Sequence, residues 1–225
     1  MSLKMIDLHT HSIFSDGELI PFELLRRVEA MGYGALAITD HADTSNLKEI
    51  LEAIKKAAKS WNGMNSHPKL IPGVELTHIP PSLMKSLVED ARNLGAKVIV
   101  VHGETLVEPV APGTNLAALN ADIDILAHPG LITEEEVILA KERGICLEIS
   151  GRKGHCLSNG HVARLAKRIG AKLVINSDGH APGDYLTLDF ARKIALGAGL
   201  DETDFEKMLK NAWEIVEKGE CFNGI

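Results

Sequence analysis

A glycine followed by a short run of β-branched and apolar residues recurs along this chain, each time after an amphipathic segment. Met31-Gly32 precedes Ala35-Leu36-Ala37-Ile38-Thr39, and Leu94-Gly95-Ala96 precedes Lys97-Val98-Ile99-Val100-Val101. Arg143-Gly144 precedes Ile145-Cys146-Leu147-Glu148-Ile149, and Ile169-Gly170-Ala171 precedes Lys172-Leu173-Val174-Ile175. Glycine just past a helix adopts the left-handed conformation that ends it. A continuous apolar run after it reads as a strand buried on both faces. With 4–9, 69–76 and 123–127 the expected strands number seven. Helical patterns fall at 21–31, 46–61, 82–94, 133–143, 160–169, 187–197 and 203–218. Thr133 with Glu136 predicts a capping box, and Asp201 with Asp204 puts acid at the start of the last helix. The stretch 105–121, which holds Pro109 and Pro112, is expected to be loop with one short helix. No low-complexity linker interrupts the alternation, so 1–225 reads as one α/β domain with a parallel sheet. The last helix, with Phe205, Leu209, Trp213 and Val216, is expected to close the fold rather than bind a partner.

The residues at the ends of those strands are chemically uniform. His9-Thr10-His11, Asp40-His41, Gly73-Val74-Glu75, His102-Gly103-Glu104, His128-Pro129-Gly130 and Asp178-Gly179-His180 each stand at or near the end of an apolar run. Neutral imidazoles and carboxylates suit zinc, iron and manganese. Taken singly, each has a plain structural explanation: Asp16 in Ser15-Asp16-Gly17 is ordinary turn chemistry, Asp40 a helix cap, His102 or His128 a bonded core histidine. Their occurrence at one end of strand after strand points to a shared cation. It also favours a closed barrel, which alone brings all the strand ends to one mouth.

Composition bounds the alternatives. A hydrophobic fraction of 45% fits a chain with a full core, and a formal charge of −7 with no basic block argues against duplex binding. Cys146, Cys156 and Cys221 contain no CxxC pair, so a disulfide scaffold and a thiolate zinc site are not expected. The start Met1-Ser2-Leu3-Lys4-Met5 lacks a signal-peptide pattern, and no apolar stretch reaches ~18 residues. The expected location is the cytoplasm, away from the membrane.

From Ile6 to His180 the set His9-x-His11, Asp16, Asp40-His41, Gly73-Val74-Glu75, His102, His128-Pro129 and Asp178-Gly179-His180 resembles the PHP (polymerase and histidinol phosphatase) family in order, spacing and residue type. The resemblance implies a distorted seven-stranded (β/α)7 barrel carrying three divalent ions (zinc, iron or manganese) at the strand C-termini. It implies one metal on His9, His11, Glu75 and Asp178, with Glu75 bridging to a second on His102 and His128. The third would take Asp16, His41 and His180. Some family members have histidine in place of Asp16. The implied reaction is hydrolysis of phosphate esters by metal-activated hydroxide, with Glu75, Asp178 and His180 as catalytic residues and a small phosphorylated substrate, as in histidinol phosphatases.

Several residues beyond the nine ligands draw attention. Arg152, in Ser150-Gly151-Arg152-Lys153-Gly154-His155, lies on the same rim and is expected to clamp phosphate. His155 and Glu104 are expected at the substrate or in proton transfer, and Asp7 is expected either to orient a ligand imidazole or to be a polar residue bonded within the barrel. His78 lies close enough after Glu75 to reach the rim, whereas His67 and His161 read as structural. The principal competing function is a nuclease or 3'-5' exonuclease on single-stranded nucleic acid or nucleotides. The acidic balance and the lack of a polymerase region weigh against it. A C–N bond metallohydrolase would use similar ligands, but no strand carries an inward lysine of the kind some such enzymes carbamylate. A non-catalytic metal scaffold would be expected to lose ligands, and all nine positions are filled.

Overall fold

In the computed structural model the chain forms a nearly closed barrel of parallel strands sheathed by helices. Residues 3–64 and 66–221 are described, the side chains of 220 and 221 excepted. Met1, Ser2 and the Cys221 side chain, which enter the expectations about compartment, lie outside that set. The strands are β1 (Ile6–Asp7), β2 (Ala35–Ile38), β3 (His41–Ala42), β4 (Lys69–Leu76), β5 (Val98–His102), β6 (Ile125–Ala127), β7 (Cys146–Ser150) and β8 (Leu173–Asn176). The helices are α1 (Pro21–Ala30), α2 (Leu47–Asn62), α3 (Met84–Asn93), α4 (Thr114–Leu119), α5 (Glu134–Arg143), α6 (Asn159–Ile169), α7 (Leu188–Gly197) and α8 (Glu202–Cys221).

The sheet order is β1-β2-β4-β5-β6-β7-β8, every pairing parallel, with β3 also on β4. The eighth strand is not an extra barrel stave. It continues β2 past Thr39 and Asp40, and β4 is long enough to pair with β2 through Pro72 and with β3 from Glu75. The expected capping box of α5 is present, Thr133 and Glu136 exchanging side chain for backbone. Gly144 and Gly170 end α5 and α6 at φ 70° and 81°, so the next segment turns back into β7 or β8. The stretch 105–121 contains the short α4 and is otherwise loop.

Alternation along the strands sorts the side chains into two cores. Leu36, Ile38, Leu70, Val74, Ile99, Leu126 and Leu147 face outward and pack under the helices. Small residues (Ala35, Ala37, Val98, Val100, Ala127) fill the barrel interior together with Ile6, Leu8 and Ile71. Ala212, Ile215 and Val216 of α8 join that interior cluster, so the last helix does plug the barrel floor. Trp213 is the exception at 41% exposure, bonded to Glu217 on the surface.

Closure between β1 and β8 is unusual. One backbone bridge, Thr10 with Gly179, joins them. Side chains supply further hydrogen bonds: Asn176 Oδ1 accepts the Leu8 N–H at 2.9 Å, and both Asp7 oxygens accept the Ser177 N–H at 3.2 Å. This is why β1 is shorter than the 4–9 expected. Asp7 therefore serves the seam, the second of its two expected roles, bonded within the barrel rather than to a ligand ring. Burial, partly offset by the Ser177 and His9 amides, lifts its pKa to about 7. A carboxyl whose folded pKa lies above its unfolded value contributes most at low pH and loses that contribution as pH rises through about 7. Asp7→Asn keeps the acceptor without the charge. Metal-stripped Asp7→Asn is therefore expected to lose roughly 4 °C less in melting temperature than the wild type between pH 5.5 and 8, a ~2 kcal/mol effect. Equal losses would show that Asp7 does not carry that linkage.

Candidate metal centre

The site lies at the C-terminal mouth of the barrel, where interior side chains change from apolar to charged. On β4, Ile71 faces inward, and two pleats later so does Glu75. Gly73 lies between them because a Cβ there would meet Val98 O and Thr39 Cγ2 at 2.8 Å. His102 ends β5, His128 comes just after β6, and Asp178 and His180 just after β8. Two of these residues adopt backbone conformations that side chains disfavour: His128 has φ 26° and Asp178 φ 52°. Such strain persists only where the surroundings over-determine it, and it is common at functional sites.

The nine expected ligands converge. His9 Nε2 lies 3.3 Å from Glu75 Oε1 and 3.7 Å from Asp178 Oδ1. His11 Nε2 lies 3.2 Å from the same Asp178 oxygen and 3.8 Å from Glu75 Oε2. His128 Nε2 stands 3.6 Å from Glu75 and 3.6 Å from Asp178. Asp16 Oδ1 is 3.4 Å from His41 Nε2 and 3.1 Å from His180 Nε2, and these three with His11 form one compact group. His102 packs against His128 with ring centres 4.5 Å apart. Its Nε2, however, turns to the loop after β5, 3.1 Å from Glu108 Oε2.

Two buried anchors hold this geometry, and neither was expected to act in this way. Glu148, an acid inside the apolar run of β7, is wholly buried. Its Oε1 meets His9 Nδ1 at 2.8 Å and the Asn176 amide at 2.8 Å, and its Oε2 accepts the His128 N–H. With Nδ1 donating to Glu148, the His9 Nε2 lone pair faces the centre. Burial opposes the charge on Glu148, but His9 outweighs it and the pKa falls to about 2. The same signal that singled out Glu75, an acid within an apolar strand, could have found it. Asp40 is the second anchor. It accepts from Ser12 N, Ser12 Oγ and Ser15 Oγ at 2.7–2.8 Å and so fixes the loop that presents Asp16.

The residues expected at the substrate divide between rim and helix. Arg152 Nη1 meets His180 Nδ1 at 2.8 Å and Asp178 O at 3.1 Å, on the rim. His155 stacks on His128 with centroids 4.1 Å apart and forms one group with His102 and His128. Glu104 points away: its Oε1 accepts the N–H groups of Gly113 and Asn115 at the start of α4. That carboxylate is engaged in holding α4, a correction to its expected place at the substrate. Glu108, four residues on, reaches the imidazoles instead.

Electrostatics decide what the centre is for. Glu75, Glu148 and Asp178 are at most 2% exposed, and buried carboxylates need cations or full hydrogen bonding. Yet His9 Nε2, both His11 ring nitrogens and Glu75 Oε1 have no hydrogen-bond partner while fully buried. Burial and neighbouring rings hold His102 near pKa 4 and His155 near 3, so both are neutral with a lone pair available. Unpartnered buried donors of this kind fit divalent cations. Fold and site together define a metal-dependent hydrolase barrel.

The chain belongs to the PHP family, whose domain matches residues 7–156. An uncharacterized protein of Methanocaldococcus jannaschii is 49% identical over 208 residues, 90% of this chain and 94% of that one. A probable phosphatase of Thermoanaerobacter sp. is 25% identical across 88% of both chains. The 5'-3' exoribonuclease Rnm of Salmonella typhimurium is 40% identical over 73 residues, 32% of this chain and 22% of the exoribonuclease. Among solved structures, the fold resembles a chain in archaeal ribonuclease P with mature tRNA (TM-score 0.71, 18% identity, 95% and 91% covered). It also resembles the Lactococcus lactis histidinol phosphate phosphatase bound to zinc, L-histidinol and phosphate (TM-score 0.64, 19% identity, 89% and 95% covered). No helix among the described residues is long and apolar enough to cross a membrane.

Proposed function

We propose that the protein hydrolyses a small phosphomonoester at three divalent cations. The observation that carries this reading is the set of buried, unpartnered ring and carboxylate atoms of His9, His11 and Glu75, with His11 stacked on His180, which Arg152 contacts. His9, His11, Glu75 and Asp178 would hold the first cation; Glu75, His102 and His128 the second; Asp16, His41 and His180 the third. Such cations, when bound, supply a nucleophilic water at neutral pH and neutralise charge developing on the phosphoryl group. Imidazole with carboxylate accepts zinc, iron or manganese.

The chain's own groups do the remaining work. Arg152 binds phosphate oxygens through its guanidinium edge, oriented by the Asp178 backbone oxygen, which accepts from Nη1 at 3.1 Å. His155, with Nδ1 held by the Thr105 hydroxyl at 2.7 Å, presents Nε2 to the same space. Beside them a cavity of about 500 Å³, lined by Arg152, Lys153, His180, Asp184 and Phe190, receives the leaving group. That volume suits a metabolite-sized ester.

Arg152→Ala is expected to raise KM for a phosphorylated substrate about tenfold or more while leaving metal content unchanged, as for loss of a charged hydrogen bond. Unchanged KM would remove Arg152 from the site. The function itself is tested by presenting a panel of phosphorylated metabolites and 5'-labelled single-stranded RNA and DNA to protein reconstituted with zinc, iron or manganese. The segment shared with an exoribonuclease favours including the oligonucleotides. Faster turnover of the oligonucleotides than of every monoester would overturn the phosphatase reading in favour of a nuclease.

A further inference from the structure

We infer that the cation on His102 takes two ligands from outside the nine, His78 and Glu108, so that the loop after β5 completes the second metal position. The inference deepens the proposed centre and rests on it. Donor atoms about 2.1 Å from a small cation stand roughly 3.0–3.4 Å from one another in tetrahedral or octahedral arrangements. Glu108 Oε2 lies 3.1 Å from His102 Nε2 and 3.2 Å from His78 Nε2, and Oε1 lies 3.4 Å from His155 Nε2. Three imidazoles therefore turn their Nε2 atoms on one carboxylate, at distances that fit a coordination sphere and also the hydrogen bond that His78 makes with Oε2. One donor atom each from His78, His102 and Glu108 falls within a single compact group.

The surrounding structure aims these atoms. His102 Nδ1 lies 3.1 Å from Gly103 O, which leaves Nε2 facing the loop. The loop is pinned on both sides of Glu108: Thr105 Oγ1 bonds His155, and Glu104 holds the amides of Gly113 and Asn115. His78 reaches in from the end of β4 with φ 53°, its ring 4.9 Å from that of His102. Unlike the barrel ligands, His78 and Glu108 are 40% and 38% exposed, so this side of the sphere opens to solvent. A cation held there exchanges through the loop while its neighbours stay enclosed.

The test is a chelator titration of zinc-loaded protein, reading zinc per chain after desalting, with the visible spectrum of the cobalt-substituted protein as second readout. His78→Ala and Glu108→Gln are each expected to release one equivalent at a chelator concentration at least tenfold below wild type. The remaining equivalents should be unmoved, and one cobalt band should change. Superimposable release curves and spectra for wild type and both variants would overturn the inference, leaving Glu108 as a hydrogen-bond partner only. A wild-type chain that retains no zinc would instead overturn the proposed centre itself, a result visible without either variant.

Discussion

Glu75→Gln is expected to reduce phosphoesterase turnover about a thousandfold or more and to lower the number of cations retained per chain. The residue is wholly buried, approaches His9, His11, His41 and His128, and is the one carboxylate shared between two proposed metal positions. Burial opposes its charge, but His9 and His41 hold its pKa well below the ordinary carboxylate range. An amide of the same shape removes that charge and turns one oxygen into a donor facing imidazole nitrogens. Loss of metal-activated water and of charge neutralisation is worth several powers of ten. Parallel measurement of metal content and turnover decides the point: a variant with full occupancy and full activity would show that Glu75 bridges nothing.

Glu148→Gln should produce the second largest change although its side chain touches no proposed cation. It is expected to weaken metal retention 10–100-fold, as for the partner behind a ligand histidine. A Gln amide cannot accept from His9 Nδ1, the Asn176 amide and the His128 N–H together, so a buried network loses its anion. Breaking a buried pair costs on the order of 3 kcal/mol, or roughly 6–12 °C in melting temperature for a chain of this size. Because the wild-type carboxylate is ionised down to about pH 2, the deficit should be present throughout the neutral range. Thermal melts of the metal-free proteins separate this packing loss from the affinity loss. Coincident melts would mean that Glu148 is dispensable to the barrel.

The strands and helices were legible because glycine after each amphipathic segment marks a turn into a buried run; β4 spans 69–76 as expected. The convergence of His9, Glu75, His128 and Asp178 was legible because a barrel has one mouth. What escaped had two causes. Glu148 carries no neighbouring histidine in its own run, so its partner His9, 139 residues away, is invisible to local spacing. Glu104 and Glu108 were distinguishable only by the path of the loop. Glu104 is nearer His102 in sequence, yet the unsatisfied amides of α4 claim it, and Glu108 reaches the rings. β1 fell short of its expected length because Asn176 of β8 and Asp7 of β1 itself make side-chain hydrogen bonds across the seam where a ladder would run.

That seam has a consequence for how the enzyme is kept together. His9 and His11 belong to one lip of the joint, and Asp178 and His180 to the other, so any ion gripped by both lips acts as a clasp on the barrel. Loading and folding are then coupled by mass action: whatever binds only the closed form adds to its stability. Scarcity of that inorganic partner would therefore be felt as fragility as well as idleness.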